Sequence, residues 1–258
     1  MSRRKLIAGN WKMNMTAAQG AELIQNIKAQ FADCGCQGCA NGPEVLVCPP
    51  FTTISAVVEA AKGTCLQVGA QNIHWAEKGA FTGEISGAML KETGITYVII
   101  GHSERRQYFG ETDETVNQRV KAALANGLKP VICVGENLTE REKGVTLPVI
   151  EKQVRWDLSD LTAEQMASVV IAYEPVWAIG TGKTATEAQA QEVHAAIRKV
   201  LADLFGAATA DSVRILYGGS MNAANAAGLL AQPDIDGGLI GGAALKPADF
   251  ATIIKAAK

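Results

Sequence analysis

LIAGNWKMN, residues 6–14, is a short apolar run that closes on asparagine, tryptophan and lysine. A first strand leading into a dinucleotide-binding helix would carry a Gly-x-Gly-x-x-Gly turn here, and Gly9-Asn10-Trp11-Lys12-Met13-Asn14 is not one. Outward from this run, seven further β-branched or apolar stretches recur, at residues 45–48, 67–71, 97–101, 129–134, 168–174, 213–217 and 237–240. None alternates strictly with polar residues, as expected of strands covered on both faces. Between them lie segments patterned as helices, at 17–32, 53–62, 114–125, 149–158, 186–205 and 247–257. The clearest is 186–205, where Val193, Ile197, Val200, Leu201 and Leu204 form one stripe and Thr186 with Gln189 reads as a capping box. Strand and helix in strict alternation call for a parallel sheet with right-handed crossovers. Eight units give about 32 residues each, close to the ~30 of one βαβ unit. The expected fold is α/β, a single-domain (β/α)8 barrel over residues 1–258, preferred to a doubly wound open sheet.

Composition narrows the function classes. Apolar residues make up 48% and charged residues 19%, which suits a large core and leaves no disordered tail. Lys and Arg number 24 against 26 Asp and Glu, for a net charge of -2 without a basic block, so no nucleic-acid partner is expected. No apolar stretch approaches the ~20 residues of a membrane helix. The N-terminal cations run straight into residues 6–10 without a signal-peptide core, so the expected location is cytoplasmic. Six cysteines lie at 34, 36, 39, 48, 65 and 133, in a chain long enough to fold without disulfide staples. Cys48 and Cys133 sit in strand-like runs and read as small buried residues. The cluster Cys34, Cys36 and Cys39 offers three thiolates, but no fourth ligand is local and its Gly, Gln and Asn neighbours read as a surface loop. No metal is expected there, since zinc sites normally present two ligand pairs.

In such a barrel, chemistry belongs at the carboxyl ends of the strands. There the sequence places Asn10-Trp11-Lys12, Gly101-His102-Ser103-Glu104, Glu174-Pro175, Gly218-Gly219-Ser220 and Gly241-Gly242. The last two groups read as an anion site, because glycines let backbone N–H groups approach a phosphate and Ser220 adds a hydroxyl. Lys12 supplies a cation. Glu174 closes an apolar strand, where an unpaired carboxylate is costly and its environment can tune it into a base. His102 opens a helix-like turn whose positive end disfavours the imidazolium, leaving a neutral donor for a developing oxyanion. His74 and His194 read as ordinary hydrogen-bonded residues. Base, neutral donor, cation and phosphate grip together describe proton abstraction beside a carbonyl on a small phosphorylated substrate, through an enediolate.

At these residues the sequence resembles the triosephosphate isomerase family over essentially its whole length. The resemblance rests on residues 9–14, 79–84, 101–106, 172–184, 217–220 and the glycines 241 and 242. It implies interconversion of dihydroxyacetone phosphate and D-glyceraldehyde 3-phosphate in glycolysis and gluconeogenesis, without metal or organic cofactor. It further implies Glu174 as base, His102 as electrophile, Asn10 and Lys12 as holders of substrate and oxyanion, and Glu104 as a supporting residue. Gly180, Ser220, Gly241 and Gly242 would grip the phosphate, and residues 175–184 would form a lid whose apolar tip is Val176, Trp177, Ala178 and Ile179. The family habit implies a homodimer through the loop 71–84, with Thr82 at its tip, and an exposed Ile73, Trp75 and Phe81 would favour that partner. Ala244 and Gly87 depart from the family's more usual serine and proline, which predicts slightly weaker anion binding and a local change in stability. The cysteine cluster would lie at the end of the barrel opposite the chemistry and is expected to have no catalytic role. Two other readings remain open: another phosphate-binding barrel enzyme, such as a Schiff-base aldolase, and a non-catalytic sugar-phosphate binder.

Overall fold

A computed structural model describes residues 3–30, 42–179 and 184–258. Cys34, Cys36, Cys39 and Gly180 lie outside the described residues. Eight parallel strands close into a barrel: β1 (Leu6–Asn10), β2 (Glu44–Cys48), β3 (Leu66–Ala70), β4 (Tyr97–Ile100), β5 (Lys129–Val134), β6 (Val170–Tyr173), β7 (Arg214–Tyr217) and β8 (Gly237–Ile240), with β8 returning to β1. Outside run α1 (Ala17–Ala29), α2 (Ile54–Ala61), α3 (Gly87–Glu92), α4 (Ser103–Phe109), α5 (Asp113–Ala125), α6 (Leu138–Glu142), α7 (Thr146–Asp157), α8 (Glu187–Phe205), α9 (Ala207–Ser212), α10 (Ala226–Leu230) and α11 (Pro247–Ala256).

The absence of polar alternation in the strands has a direct cause in the packing. Leu6, Ala8, Leu46, Cys48, Tyr97, Ile99, Val131, Cys133, Val170, Ala172, Leu216 and Leu239 fill the barrel interior as one cluster. Their strand neighbours Ile7, Val47, Val98, Ile132, Ile171, Ile215 and Ile240 join the helices in a second. Both faces of each strand are therefore apolar, and the period of two separates two cores instead of core and solvent. Thr186 caps α8 as expected, its side chain accepting from the Gln189 amide.

Differences from expectation are confined to ends, short helices and two side-chain placements. Ser168, the first residue of the expected sixth strand, instead ends a 3₁₀ turn (Gln165–Ser168), and α7 starts three residues early because Pro148 is tolerated in a first helical turn. The short helices α3, α6, α9 and α10 are too brief to impose a periodicity. Ile73 is fully buried, so the exposure expected of it fails; Trp75 and Phe81 are exposed. His194 is fully buried. Cys48 and Cys133 are buried free thiols as expected, whereas Cys65 is disulfide-bonded. Among the described residues no helix is long and apolar enough to cross a membrane.

Candidate active site

The inward register that fills the barrel also delivers the site. Continuing Leu6 and Ala8 by two brings Asn10 to the mouth; continuing Val170 and Ala172 brings Glu174; Leu216 leads to Gly218 and Leu239 to Gly241. His102 reaches the same mouth by a break in that register. Gly101 takes φ +69°, a left-handed turn that favours glycine, and a Cβ there would sit 2.7 Å from Val116. The turn makes His102 the N-cap of α4. Asn10, Lys12, His102, Glu174, Ser220 and the glycines 241 and 242 thus line one cavity of about 390 Å³. Glu104 stands beside it, joined to Lys12.

The charges at this mouth are coupled. His102 Nδ1 accepts the Glu104 amide at 3.2 Å, which leaves the proton of the neutral ring on Nε2, 2.9 Å from Glu174 Oε1. Glu174 Oε2 accepts the Ser103 amide at 2.8 Å. Glu174 is only 2% exposed, and burial alone would raise its carboxyl. The His102 ring, the Ser103 amide and Lys12 outweigh burial and hold it below the ordinary value. Burial alone would likewise lower the His102 ring, but the Glu174 and Glu104 carboxylates outweigh it and raise it. A ligand that turns Glu174 away from the ring removes the larger of those raising influences, so burial then favours the neutral donor.

Lys12 is held by unusual means. Its φ of 51° is left-handed, a conformation that costs a non-glycine residue about 1 kcal/mol or more. The Lys12 amide donates to Asn10 Oδ1 at 3.0 Å, Gln71 Nε2 donates to the Lys12 carbonyl at 2.8 Å, and Lys12 Nζ meets Glu104 Oε1 at 2.6 Å. These contacts aim a flexible ammonium into the cavity.

Gly218, Gly219, Ser220, Gly241 and Gly242 form the glycine-rich part of the cavity wall. A Cβ on Gly218 would lie 2.8 Å from Glu174 Cγ, so that position also makes room for the carboxylate. The Ser220 hydroxyl donates to the Ala178 carbonyl at 2.8 Å. Residues 176–178 form a 3₁₀ turn whose Trp177 Nε1 donates to Glu136 Oε1 at 2.8 Å. Glu136 is fully buried and also accepts the Tyr173 hydroxyl at 3.1 Å.

Sequence reasoning missed three contributors: Gln71 behind Lys12, the Ser103 amide on the base, and Glu136 under residue 177. Gln71 was visible as a polar residue closing an apolar strand. A backbone amide and a carboxylate from another loop carry no such signal. His74 is buried outside the site, its Nδ1 accepting the Ala76 amide at 3.1 Å, and His194 Nδ1 lies 3.1 Å from the Asp234 carbonyl. Among the described residues no three His, Cys, Asp or Glu side chains are grouped to hold a metal ion.

The chain is similar to proteins of one family over almost its whole length. The family described as triosephosphate isomerase matches residues 5–257. A triosephosphate isomerase of Acetivibrio thermocellus is 58% identical over 255 residues, covering 99% of each chain. Those of Clostridium novyi and Endomicrobium trichonymphae are each 54% identical, covering 98% of this chain and 98% of the relative, and 99% and 100%, respectively.

Proposed function

The chain belongs to the triosephosphate isomerase family and is an isomerase of triose phosphates, and from that premise we propose how its own residues divide the work. Glu174 removes the proton from the carbon next to the carbonyl of dihydroxyacetone phosphate and returns it to the neighbouring carbon, giving D-glyceraldehyde 3-phosphate. His102 donates its Nε2 proton towards the oxygen that becomes negative, and Lys12 with Asn10 holds that oxygen. The observation that carries this reading is the 2.9 Å contact between Glu174 and a ring whose other nitrogen is already occupied by an amide. It pairs base and donor in one cavity whose wall also carries the glycines. A positioned base contributes about 10²- to 10⁴-fold, and one oxyanion donor about 10²- to 10³-fold.

Gly180, Ser220, Gly241 and Gly242 take the phosphate, and residues 175–184 cover it; both roles are family expectations supported by the glycine-lined wall. A protected enediolate keeps its phosphate and excludes water. Neither rival accounts for the site as well. An aldolase needs a lysine inside the barrel, and Lys129 stands exposed at the start of β5. A simple binder has no use for the paired base and donor.

The decisive experiment is a coupled isomerisation assay on the purified protein and on Glu174→Asp. Retreat of the carboxylate by one methylene moves it about 1 Å or more and should lower kcat by about 10²-fold. An unchanged rate would remove Glu174 from the reaction.

The protein acts as one catalytic barrel over the whole chain, in the cytoplasm, and as a homodimer. Arg119 fixes the base of the loop 71–84 by donating to the Ile73 carbonyl and, at 3.2 Å, to Asn72 Oδ1. Trp75 and Phe81, each 4.2 Å from the His74 ring, present an exposed aromatic stack, and Met13 beside Lys12 is 95% exposed. Apolar surface of this kind supports a second copy as partner. Sedimentation should give a dimer for the wild type and a smaller species for Phe81→Asp; equal masses would remove this loop from the contact.

A further inference from the structure

Glu174 lines not one cavity but two. Behind it lies a second space, also of about 390 Å³, bounded by Gly101, Ser103, Gln107, Cys133, Asn137 and Val176 among others. Among the described residues Glu174 is the one member common to both linings. We propose that this rear cavity is a water-filled well through which the base exchanges its proton while substrate fills the front. The proposal rests on the role of Glu174 as base and deepens it.

Several features fit the rear space to water and not to a charged ligand. Its volume far exceeds the ~15 Å³ that one water requires. Arg106, its cation, is already fully engaged: it donates to the Gly101 and Cys133 carbonyls and pairs with Asp113 at 2.6 Å and Asp157 at 2.8 Å. Gln153 turns its amide onto the backbone of Gly135, at 2.7 and 3.1 Å. Among the described residues of this lining no other cation remains for an anion. The mouth lies at Gln107 and Asn137, both exposed.

The Ser103 amide links the two spaces. It now donates to Glu174 Oε2, and Ser103 also borders the rear cavity. When the carboxylate turns forward to the substrate this amide loses its acceptor, and a buried N–H must find another. A rear-cavity water satisfies it and stands next to the base. After proton abstraction Glu174 is a carboxylic acid. It passes the substrate's hydron to that water and takes one back, so no bond count or charge changes and only the isotope differs. Exchange then competes with delivery of the original hydron to the product.

The test uses dihydroxyacetone phosphate deuterated at the reacting carbon, turned over in light water, with label retained in the product read by NMR. Gln107 is exposed and outside the catalytic machinery, so Gln107→Trp and Gln107→Ala should keep the wild-type kcat. Narrowing the mouth with tryptophan should raise the ratio of retained to lost label about twofold, and widening it with alanine should lower that ratio. Either variant alone suffices if the other does not fold. Equal ratios in all three proteins, including complete retention or complete loss, overturn the rear well and leave the base untouched. An unchanged rate in Glu174→Asp instead overturns the base, and the well with it.

Discussion

The two ends of the barrel both bury charge, and they treat it in opposite ways. At the N-terminal end Arg214 donates to Glu44 Oε2 at 2.6 Å and to the Tyr97 hydroxyl at 2.9 Å, and that hydroxyl donates to Glu44 Oε1 at 2.9 Å. Nearby, Asp236 accepts from Arg3 Nε at 2.6 Å, Arg198 Nη2 at 2.7 Å and the Ile215 amide at 2.9 Å. Each charge there is answered from within the chain. At the C-terminal end Lys12, His102 and Glu174 converge on a cavity, Lys12 from a left-handed backbone. Their mutual contacts are few enough for a substrate to replace them. One end is closed by its ion pairs, and the other is held ready by them.

The largest effect expected from this contrast is on stability. Asp236→Ala takes one carboxylate from two guanidinium groups that keep Asp234, at 2.5 Å for Arg198 and 3.9 Å for Arg3, and leaves the buried Ile215 amide without this acceptor; two charge-assisted bonds and an orphaned amide together cost roughly 3 to 5 kcal/mol. Urea unfolding should show that loss, with kcat at 25 °C unchanged. A large fall in kcat would mean that the ends are not independent.

The converse variant is His102→Gln. Removing one oxyanion donor should lower kcat by about 10²- to 10³-fold, or roughly 3 to 4 kcal/mol. Stability should move by about 1 kcal/mol, since the buried cap accepts one amide and the glutamine side chain keeps both an acceptor and a donor. A loss of stability as large as that of Asp236→Ala, with kcat preserved, would make the upper charges structural.

His194, buried between the two ends, probes them through pH. Burial lowers its pKa to about 3, with the Asp234 carbonyl the main opposing contact. The folded value lies below the unfolded one, so the unfolded chain binds the extra proton and stability falls as pH drops from about 6.5 towards 3. At pH 5 this amounts to roughly 2 kcal/mol. His194→Gln should remove that part of the acid sensitivity and leave kcat at pH 7 in place. An unchanged slope of stability against pH between 5 and 6.5 would show that His194 protonates without unfolding.

How much of this was legible in the sequence follows from the same contrast. The barrel was, because its signals are local: short apolar runs, a capping box at Thr186, a turn after Asn10 that is no nucleotide fingerprint. Most of the site was too, because an inward strand register carries Asn10, Glu174 and Gly241 to the mouth without further information. What stayed hidden depends on partners distant in the chain. The closure by Arg214, Glu44 and Tyr97 joins residues 117 and 170 positions from Arg214. The Ser103 amide on Glu174 spans 71 positions. Ile73 was misread because its neighbours Trp75 and Phe81 are exposed, and nothing local shows that the chain turns it inward.

The smallest effect tests whether every carboxylate at the upper end is held ready for substrate. Glu136 is not: it is fully buried, and its Oε1 accepts from Trp177, Tyr173 and, at 3.5 Å, Thr146. It resembles the charges of the lower end, except that one of its donors belongs to the stretch expected to cover the substrate. Trp177→Phe removes that donor and leaves two others, so Glu136 is not orphaned. One hydrogen bond is worth about 1 kcal/mol, so stability should fall by about that much. If residues 176–178 leave their seat when phosphate binds, the seated state loses the same amount relative to the departed one. Inorganic phosphate should then inhibit the variant about fivefold more tightly. Equal inhibition in the two proteins would mean that the turn stays on Glu136 throughout, and Glu136 would then belong with the closed end of the barrel in all but position.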